Sequence, residues 1–201
     1  MAGLSSLVIA YLLGAVPFGY LLVRWRTGGD VRSLGSGNIG ATNVLRTTSR
    51  SLGIVTLLLD IAKGFLAVWI AALLTAGSPS WTSAAALAAM AGHAFPVFLK
   101  FHGGKAVASF VGAFLYLAPL PLAAILVLFV AVVAATRYIS LGSVIGAAAF
   151  PFALWVIQHP PLPVLAAAAL AGAFVIWRHA ENIARLRAGS ENALSLGGGH
   201  R

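Results

Sequence analysis

The sequence predicts an all-α integral membrane protein: a bundle of about seven transmembrane helices, two of them short, with the N-terminus outside and the C-terminus cytoplasmic. Three observations lead there. Of the 201 residues, 60% are apolar and 8% charged, against roughly 25% charged in an ordinary soluble domain, and mean hydropathy is +0.96. The apolar residues fall into runs that approach the roughly 20 residues a helical span requires. The 13 Lys and Arg, against 4 Asp and Glu, leave a net charge of +9 and cluster between those runs. A soluble fold of this size could not cover its surface with so few polar groups, and so apolar a chain does not stay disordered.

The runs lie at 4–23, 53–75, 81–99, 106–117, 122–136, 141–157 and 164–177. The first lacks the basic start and small-residue cleavage site of a signal peptide, so it reads as a retained span. The fourth and fifth, divided by Pro119 and Pro121, are the short pair; the fourth has only about 12 residues where roughly 17 is the usual minimum. A re-entrant hairpin is the alternative for these two, leaving five full spans. Loops 76–80, 118–121 and 158–163 contain no Lys or Arg. The other side carries Arg24, Arg26, Arg32, Arg46, Arg50, Lys100, Lys105, Arg137, Arg178, Arg185, Arg187 and Arg201, which makes it cytoplasmic by the positive-inside rule. No internal repeat is visible, so residues 1–201 read as one membrane-embedded domain. Cationic charge placed between apolar runs points to anionic headgroups or small phosphorylated anions as partners, and not to nucleic acid.

Three polar clusters fall on that side. The first is Gly35-Ser36-Gly37-Asn38-Ile39-Gly40-Ala41-Thr42-Asn43-Val44-Leu45-Arg46. Its glycines allow positive φ and a concavity of backbone N–H groups that favours an anion, with a helix start nearby adding partial positive charge. Ser36, Asn38, Thr42 and Asn43 add donors, and Arg46 adds charge. The competing reading is a flexible loop with a helix cap. The second cluster runs from Gly92-His93 through Lys100 to Gly103-Gly104-Lys105. There a double-glycine turn aims Lys105 at a phosphate; the alternative makes both lysines topology anchors that snorkel to headgroups.

The third cluster runs from Arg178-His179 to Glu191. On a continuing helix Arg178, Asn182 and Arg185 share a face, as do His179 and Asn182. The alternative is a solvated amphipathic tail with an i, i+4 pair between Glu181 and Arg185. Inside the second span, Asp60 and Lys63 at i, i+3 are expected to pair with each other and to steady the loop around Ser36. Ser140 and Ser143, beside Arg137, are expected to line the same pocket.

Missing groups narrow the chemistry. With no cysteine there is no thiolate nucleophile, disulfide or cysteine metal site. The acidic residues Asp30, Asp60, Glu181 and Glu191 are too few for a multi-carboxylate Mg²⁺ or Ca²⁺ site, and the histidines lack helical zinc spacing. No metal or cofactor is therefore expected. No histidine precedes an aspartate by five positions, the base arrangement of many glycerolipid acyltransferases. The basic face can bind phosphate strongly but offers no obvious protein base.

Residues 35–43, Gly92-His93 through Phe101-x-Gly103-Gly104-Lys105, and Arg178-His179-x-x-Asn182 through Gly189-x-Glu191 resemble the three motifs of the bacterial acyl-phosphate:glycerol-3-phosphate acyltransferases. The order, length and hydropathy match over nearly the whole chain. Ser190 stands where that pattern has threonine. The resemblance implies acyl transfer from acyl-phosphate to the 1-hydroxyl of glycerol 3-phosphate by a monomeric enzyme of the bacterial inner membrane, with the site facing the cytoplasm. It implies no acyl-enzyme, since the donor's own phosphate takes the hydroxyl proton. It also implies catalytic or substrate roles for Ser36, Lys105, His179 and Asn182. Substrate or phosphate contacts would come from Gly37, Asn38, Gly40, Thr42, Asn43, Arg46, Gly103, Gly104, Ser143 and Arg178. A membrane anion transporter is the alternative, although its pathway calls for mid-membrane charges and internal symmetry.

Overall fold

The computed structural model describes residues 1–194, among which there are helices and no strands; Arg201, counted above as cytoplasmic, lies outside the described residues. The chain divides into two compact units, the first ending at Leu117 and the second beginning at Ala118.

The first unit contains α1 (Ala2–Ala15), α2 (Phe18–Thr27), α3 (Ala41–Thr47), α4 (Arg50–Leu74), α5 (Pro79–Ala94) and α6 (Val107–Leu117), with 3₁₀ turns at Val31–Ser33 and Val97–Leu99. The first apolar run is therefore not one continuous helix. Pro17 lacks an N–H and pushes the residue before it out of the helical region; Val16 accordingly takes φ −61° and ψ 115°. The break leaves backbone carbonyls in need of partners. One of them, Val16 O, accepts a hydrogen bond of 2.9 Å from Lys63 Nζ on α4. That helix starts at Ser49, whose hydroxyl accepts the Leu52 N–H at 3.1 Å, a cap that satisfies one orphan donor of the first turn.

Helix α1 packs against α5 and α4, and α4 packs against α6. Small residues make these contacts close, as they must where apolar lipid removes the hydrophobic drive for helices to associate. A Cβ on Gly14 would run into the Ala89 backbone, and one on Gly112 into Ile61.

The second unit is built from α7 (Pro119–Thr136), α8 (Ile139–Gln158), α9 (Leu162–Arg178) and α10 (Ala180–Arg187). Helix α8 packs against both α7 and α9, and α10 touches α8 and α9. Pro119 occupies the first turn of α7, where a missing N–H is harmless. The helix thereby runs for 18 residues, longer than the run 122–136. It buries only Pro121, Leu122 and Ile125, while Val127 and Val130 are 71% and 62% exposed, so most of its apolar surface is left for lipid.

The span count falls below the expected seven. Five segments are long and apolar enough to cross a bilayer, or six if α9 and α10 form one bent span; α6, of 11 residues, is a shorter apolar helix. Of the two short segments, α7 reaches spanning length and α6 does not. The second correction concerns α9 and α10. They do not form the continuing helix expected from Arg178 to Arg185, because the chain bends by 56° between them.

Candidate active site

The loop around Ser36 is shaped by two polar anchors. Asp30 accepts the Arg32 backbone N–H at 2.9 Å and pairs with its guanidinium at 2.6 Å. That guanidinium holds the Asp30 carboxyl below the usual carboxylate range and lies over the Tyr20 ring at 5.1 Å. The second anchor is Asn43, buried on α3. Its Oδ1 accepts the Ser36 N–H at 3.0 Å, while its Nδ2 lies 3.2, 3.0 and 2.9 Å from the carbonyl oxygens of Val31, Leu34 and Asn38. Asn43, expected among the ligands, thus has its side chain committed to the loop itself.

Asn38 does the same on a smaller scale, accepting the Gly40 N–H at 2.8 Å. Gly35 and Gly37 do adopt positive φ, 55° and 69°; Gly40 does not, at −78°, and instead precedes α3. That helix has only 7 residues, too few for the strong terminal field the sequence suggested. Ser36, Gly37 and Arg46 are exposed, and Gly40 and Thr42 are half-buried. Ser36, on a loop whose backbone Asn43 fixes, and Arg46, on α3, therefore both lie at the surface.

The double glycine at 103–104 has a different origin from the expected turn. Neither residue takes positive φ. Both are needed because the chain passes directly over His93: a Cβ on Gly103 would strike the His93 carbonyl, and one on Gly104 the imidazole. The Gly104 N–H donates to the His93 carbonyl at 3.0 Å. Past half-buried Lys105, Ala106 adopts φ 61°, a left-handed conformation that L-residues rarely take, and α6 begins. The exposed Lys100 and Phe101 also have positive φ, 53° and 64°.

Beneath this loop sits a buried ionic group. Lys63 Nζ lies 2.7 Å from Asp60 Oδ1, and His93 Nδ1 lies 3.7 Å from the same oxygen. All three residues are at most 3% exposed. The expected pairing of Asp60 with Lys63 is present, but its other contacts go to the α1–α2 break and to His93, not to the loop at Ser36.

In the second unit, Glu191 is the hub. Its Oε1 accepts from Asn182 Nδ2 at 2.7 Å and from Ser140 Oγ at 2.9 Å, and its Oε2 from Arg185 Nε at 2.8 Å. Burial opposes its ionisation, yet the bonds from Asn182, Arg185 and Ser140 prevail and hold the carboxyl below the ordinary glutamate range. The pair expected between Glu181 and Arg185 is loose, at 3.9 Å. Buried His179 sits at the bend with Nδ1 2.7 Å from the Val175 carbonyl. A carbonyl only accepts, so Nδ1 carries the hydrogen and, in the neutral ring, Nε2 carries the lone pair. Ser143 is buried, and its hydroxyl donates to Ile139 O within α8 at 2.9 Å. Half-buried Arg178 ends α9 with its guanidinium 5.7 Å from the centre of the Trp177 ring. The tail returns to α7 through a bond from the Leu194 N–H to Arg137 O at 2.7 Å.

Sequence reasoning missed the structural weight of Glu191 and His93. Each lies inside a motif, but only the folded chain shows one acid collecting three donors and one imidazole filling the space left by a glycine.

An all-helical, multi-pass membrane protein with cation-bearing polar loops at its helix ends is the class this geometry defines. The family model for glycerol-3-phosphate acyltransferase matches residues 4–189. A glycerol-3-phosphate acyltransferase of Geobacter sulfurreducens is 49% identical, covering 92% of this chain and 93% of that one. Another from Trichlorobacter lovleyi is 48% identical over 95% and 97%. Two solved structures of PlsY (YgiH), an integral membrane glycerol 3-phosphate acyltransferase, superpose with TM-scores of 0.91 and 0.89 at 34% and 33% identity, covering 97% of this chain and 96% of each. They are the glycerol 3-phosphate and lysophosphatidic acid forms. The chain belongs to the glycerol-3-phosphate acyltransferase family, whose reaction serves phospholipid synthesis. These comparisons lend no support to an anion transporter.

Proposed function

We propose that the chain uses acyl-phosphate as its donor and transfers the acyl group directly to the 1-hydroxyl of glycerol 3-phosphate. The hydroxyl oxygen bonds to the acyl carbon, the carbon–oxygen bond to phosphate breaks, and the hydroxyl proton leaves with the released phosphate. The products are 1-acylglycerol 3-phosphate and inorganic phosphate, and no acyl-enzyme forms.

The observation that carries this reading is the fate of the carboxylates. Asp30, Asp60 and Glu191 lie 2.6, 2.7 and 2.8 Å from Arg32, Lys63 and Arg185. Glu181, the remaining acid, is exposed and 3.9 Å from Arg185. Carboxylates stabilised as anions by cations are poor proton acceptors, so a donor that brings its own base suits this chain. Two phosphate groups carry about −1.5 to −2 each near neutral pH and repel strongly near lipid unless cations neutralise them.

Arg46, Lys105 and Arg178 supply those cations, and Ser36, His179 and Asn182 orient the substrates. The backbone of 36–43, with Gly37, Asn38, Gly40, Thr42 and the fold-giving Asn43, cradles an anion. Gly103, Gly104 and Ser143 complete the contacts. Holding both reactants in line is worth roughly 7–11 kcal/mol of barrier in favourable cases. The glycerol 3-phosphate and lysophosphatidic acid forms of the PlsY structures support the substrate and product assignments. The enzyme works as a monomer and a single domain in the bacterial inner membrane, N-terminus outside, with the site open to the cytoplasm.

The test is Lys105→Ala in purified protein. Turnover is expected to fall by at least a hundredfold with helix content and detergent elution unchanged; near wild-type turnover removes Lys105 from the site.

A further inference from the structure

The buried group Asp60–Lys63–His93 is not used by the reaction just described, and an ionic group inside a membrane span is costly to keep without a task. Its connections identify one. Asp60 faces two partners, Lys63 Nζ at 2.7 Å and His93 Nδ1 at 3.7 Å. Lys63 also holds the Val16 carbonyl at 2.9 Å, so the carboxylate is fixed from the α1–α2 break. On the other side the imidazole fills the space a Cβ of Gly104 would take, and the His93 carbonyl accepts the Gly104 N–H at 3.0 Å. Lys105 is the next residue, followed by the strained Ala106 at φ 61°. The chain of contact therefore runs from α4 through the end of α5 to the backbone that carries Lys105.

We propose that Asp60, acting through the His93 imidazole, positions the Gly104–Lys105 backbone, so that this buried couple sets where the Lys105 ammonium meets substrate phosphate. Asp60 and His93 are positioning residues and touch no substrate. The carboxylate faces Nδ1 at 3.7 Å and holds the ring by charge and packing, and the ring is the wall against which Gly104 rests. The proposal rests on Lys105 being a phosphate ligand.

The test separates positioning from simple stability. In Asp60→Leu/Lys63→Met both buried charges go together, a replacement that membrane and protein interiors tolerate far better than losing one partner. In Asp60→Asn/Lys63→Met a polar side chain of the same shape still faces the imidazole. Purified in detergent, the first variant is expected to keep its melting temperature within a few degrees but to raise KM for glycerol 3-phosphate at least tenfold, with kcat within about threefold. The second is expected to return KM to within threefold of the unaltered enzyme.

A wild-type KM in Asp60→Leu/Lys63→Met overturns the proposal, as does equal damage in both variants. A second measurement needs no change at position 60. In ¹⁵N-histidine-labelled protein, saturation with glycerol 3-phosphate is expected to shift the His93 ring resonances, and Lys105→Ala is expected to abolish the shift. Unmoved His93 resonances in the unaltered enzyme overturn the proposal. Should Lys105→Ala itself retain turnover, the site reading fails first and the positioning role falls with it. Loss of turnover in Lys105→Ala with a wild-type KM in Asp60→Leu/Lys63→Met sinks the positioning role alone.

Discussion

The backbone N–H of Ser36 donates to Oδ1 of Asn43 at 3.0 Å, tying the exposed end of the first polar loop to the buried side chain of the short helix that follows. The same amide reaches three loop carbonyls. A loop rich in glycine and polar residues is thus held in one shape largely by a single side chain.

Asn43→Ala is expected to release that shape. It strands buried backbone groups, each worth about 1–3 kcal/mol when left unpaired, so a melting temperature several degrees lower and a KM for glycerol 3-phosphate raised more than tenfold are expected. Thermal unfolding alongside initial-rate kinetics checks both.

Gly104→Ala places a methyl group where the His93 imidazole lies. Neither the buried ring nor the hydrogen-bonded backbone can easily give way, so kcat/KM is expected to drop at least thirtyfold. Gly77→Ala, in a loop with open space around it, is expected to leave kcat/KM within twofold. Its φ of 73° limits the effect to a modest loss of stability.

Glu191 gives a pH dependence whose sign follows from its partners. The folded protein holds its carboxyl below the ordinary range, so the unfolded chain binds the proton more readily. The stabilisation is fully present above the ordinary glutamate pKa and is lost as pH falls through the lower, folded value. Urea or thermal unfolding from neutral to acidic pH should show a decline that Glu191→Gln flattens, from a lower starting stability.

Ser36→Ala is expected to reduce turnover by about a hundredfold to a thousandfold, the range typical of losing one oriented donor at a reacting centre. Incubation of the unaltered protein with labelled acyl-phosphate, followed by denaturation, should leave no label on the chain. A stable adduct on Ser36 would replace direct transfer with a covalent intermediate.

Much of this fold was legible because apolar runs and proline positions are local signals. The helices α4, α5, α8 and α9 fall where the runs at 53–75, 81–99, 141–157 and 164–177 placed them. The break at Pro17 was hidden by the apolar residues on both sides, which keep the hydropathy of a single span. The bend at His179 had no local signal at all, since neither glycine nor proline marks it and the neighbouring residues favour a helix. The motifs named the right neighbourhoods but not each residue's task. Gly103 and Gly104 were visible as glycines, yet their reason is a histidine ten and eleven positions earlier. Glu191 looked like one acid in a basic tail until Ser140, Asn182 and Arg185 were found around it.

The central claim is that a cation-rich, base-poor site works because the donor carries its own phosphate. Supplying purified protein with glycerol 3-phosphate and, in separate reactions, acyl-phosphate, acyl-CoA or acyl-carrier protein tests it most directly. Acyl-phosphate alone should give lysophosphatidic acid with one inorganic phosphate released per turnover. Acylation from acyl-CoA without phosphate release, and none from acyl-phosphate, would contradict it.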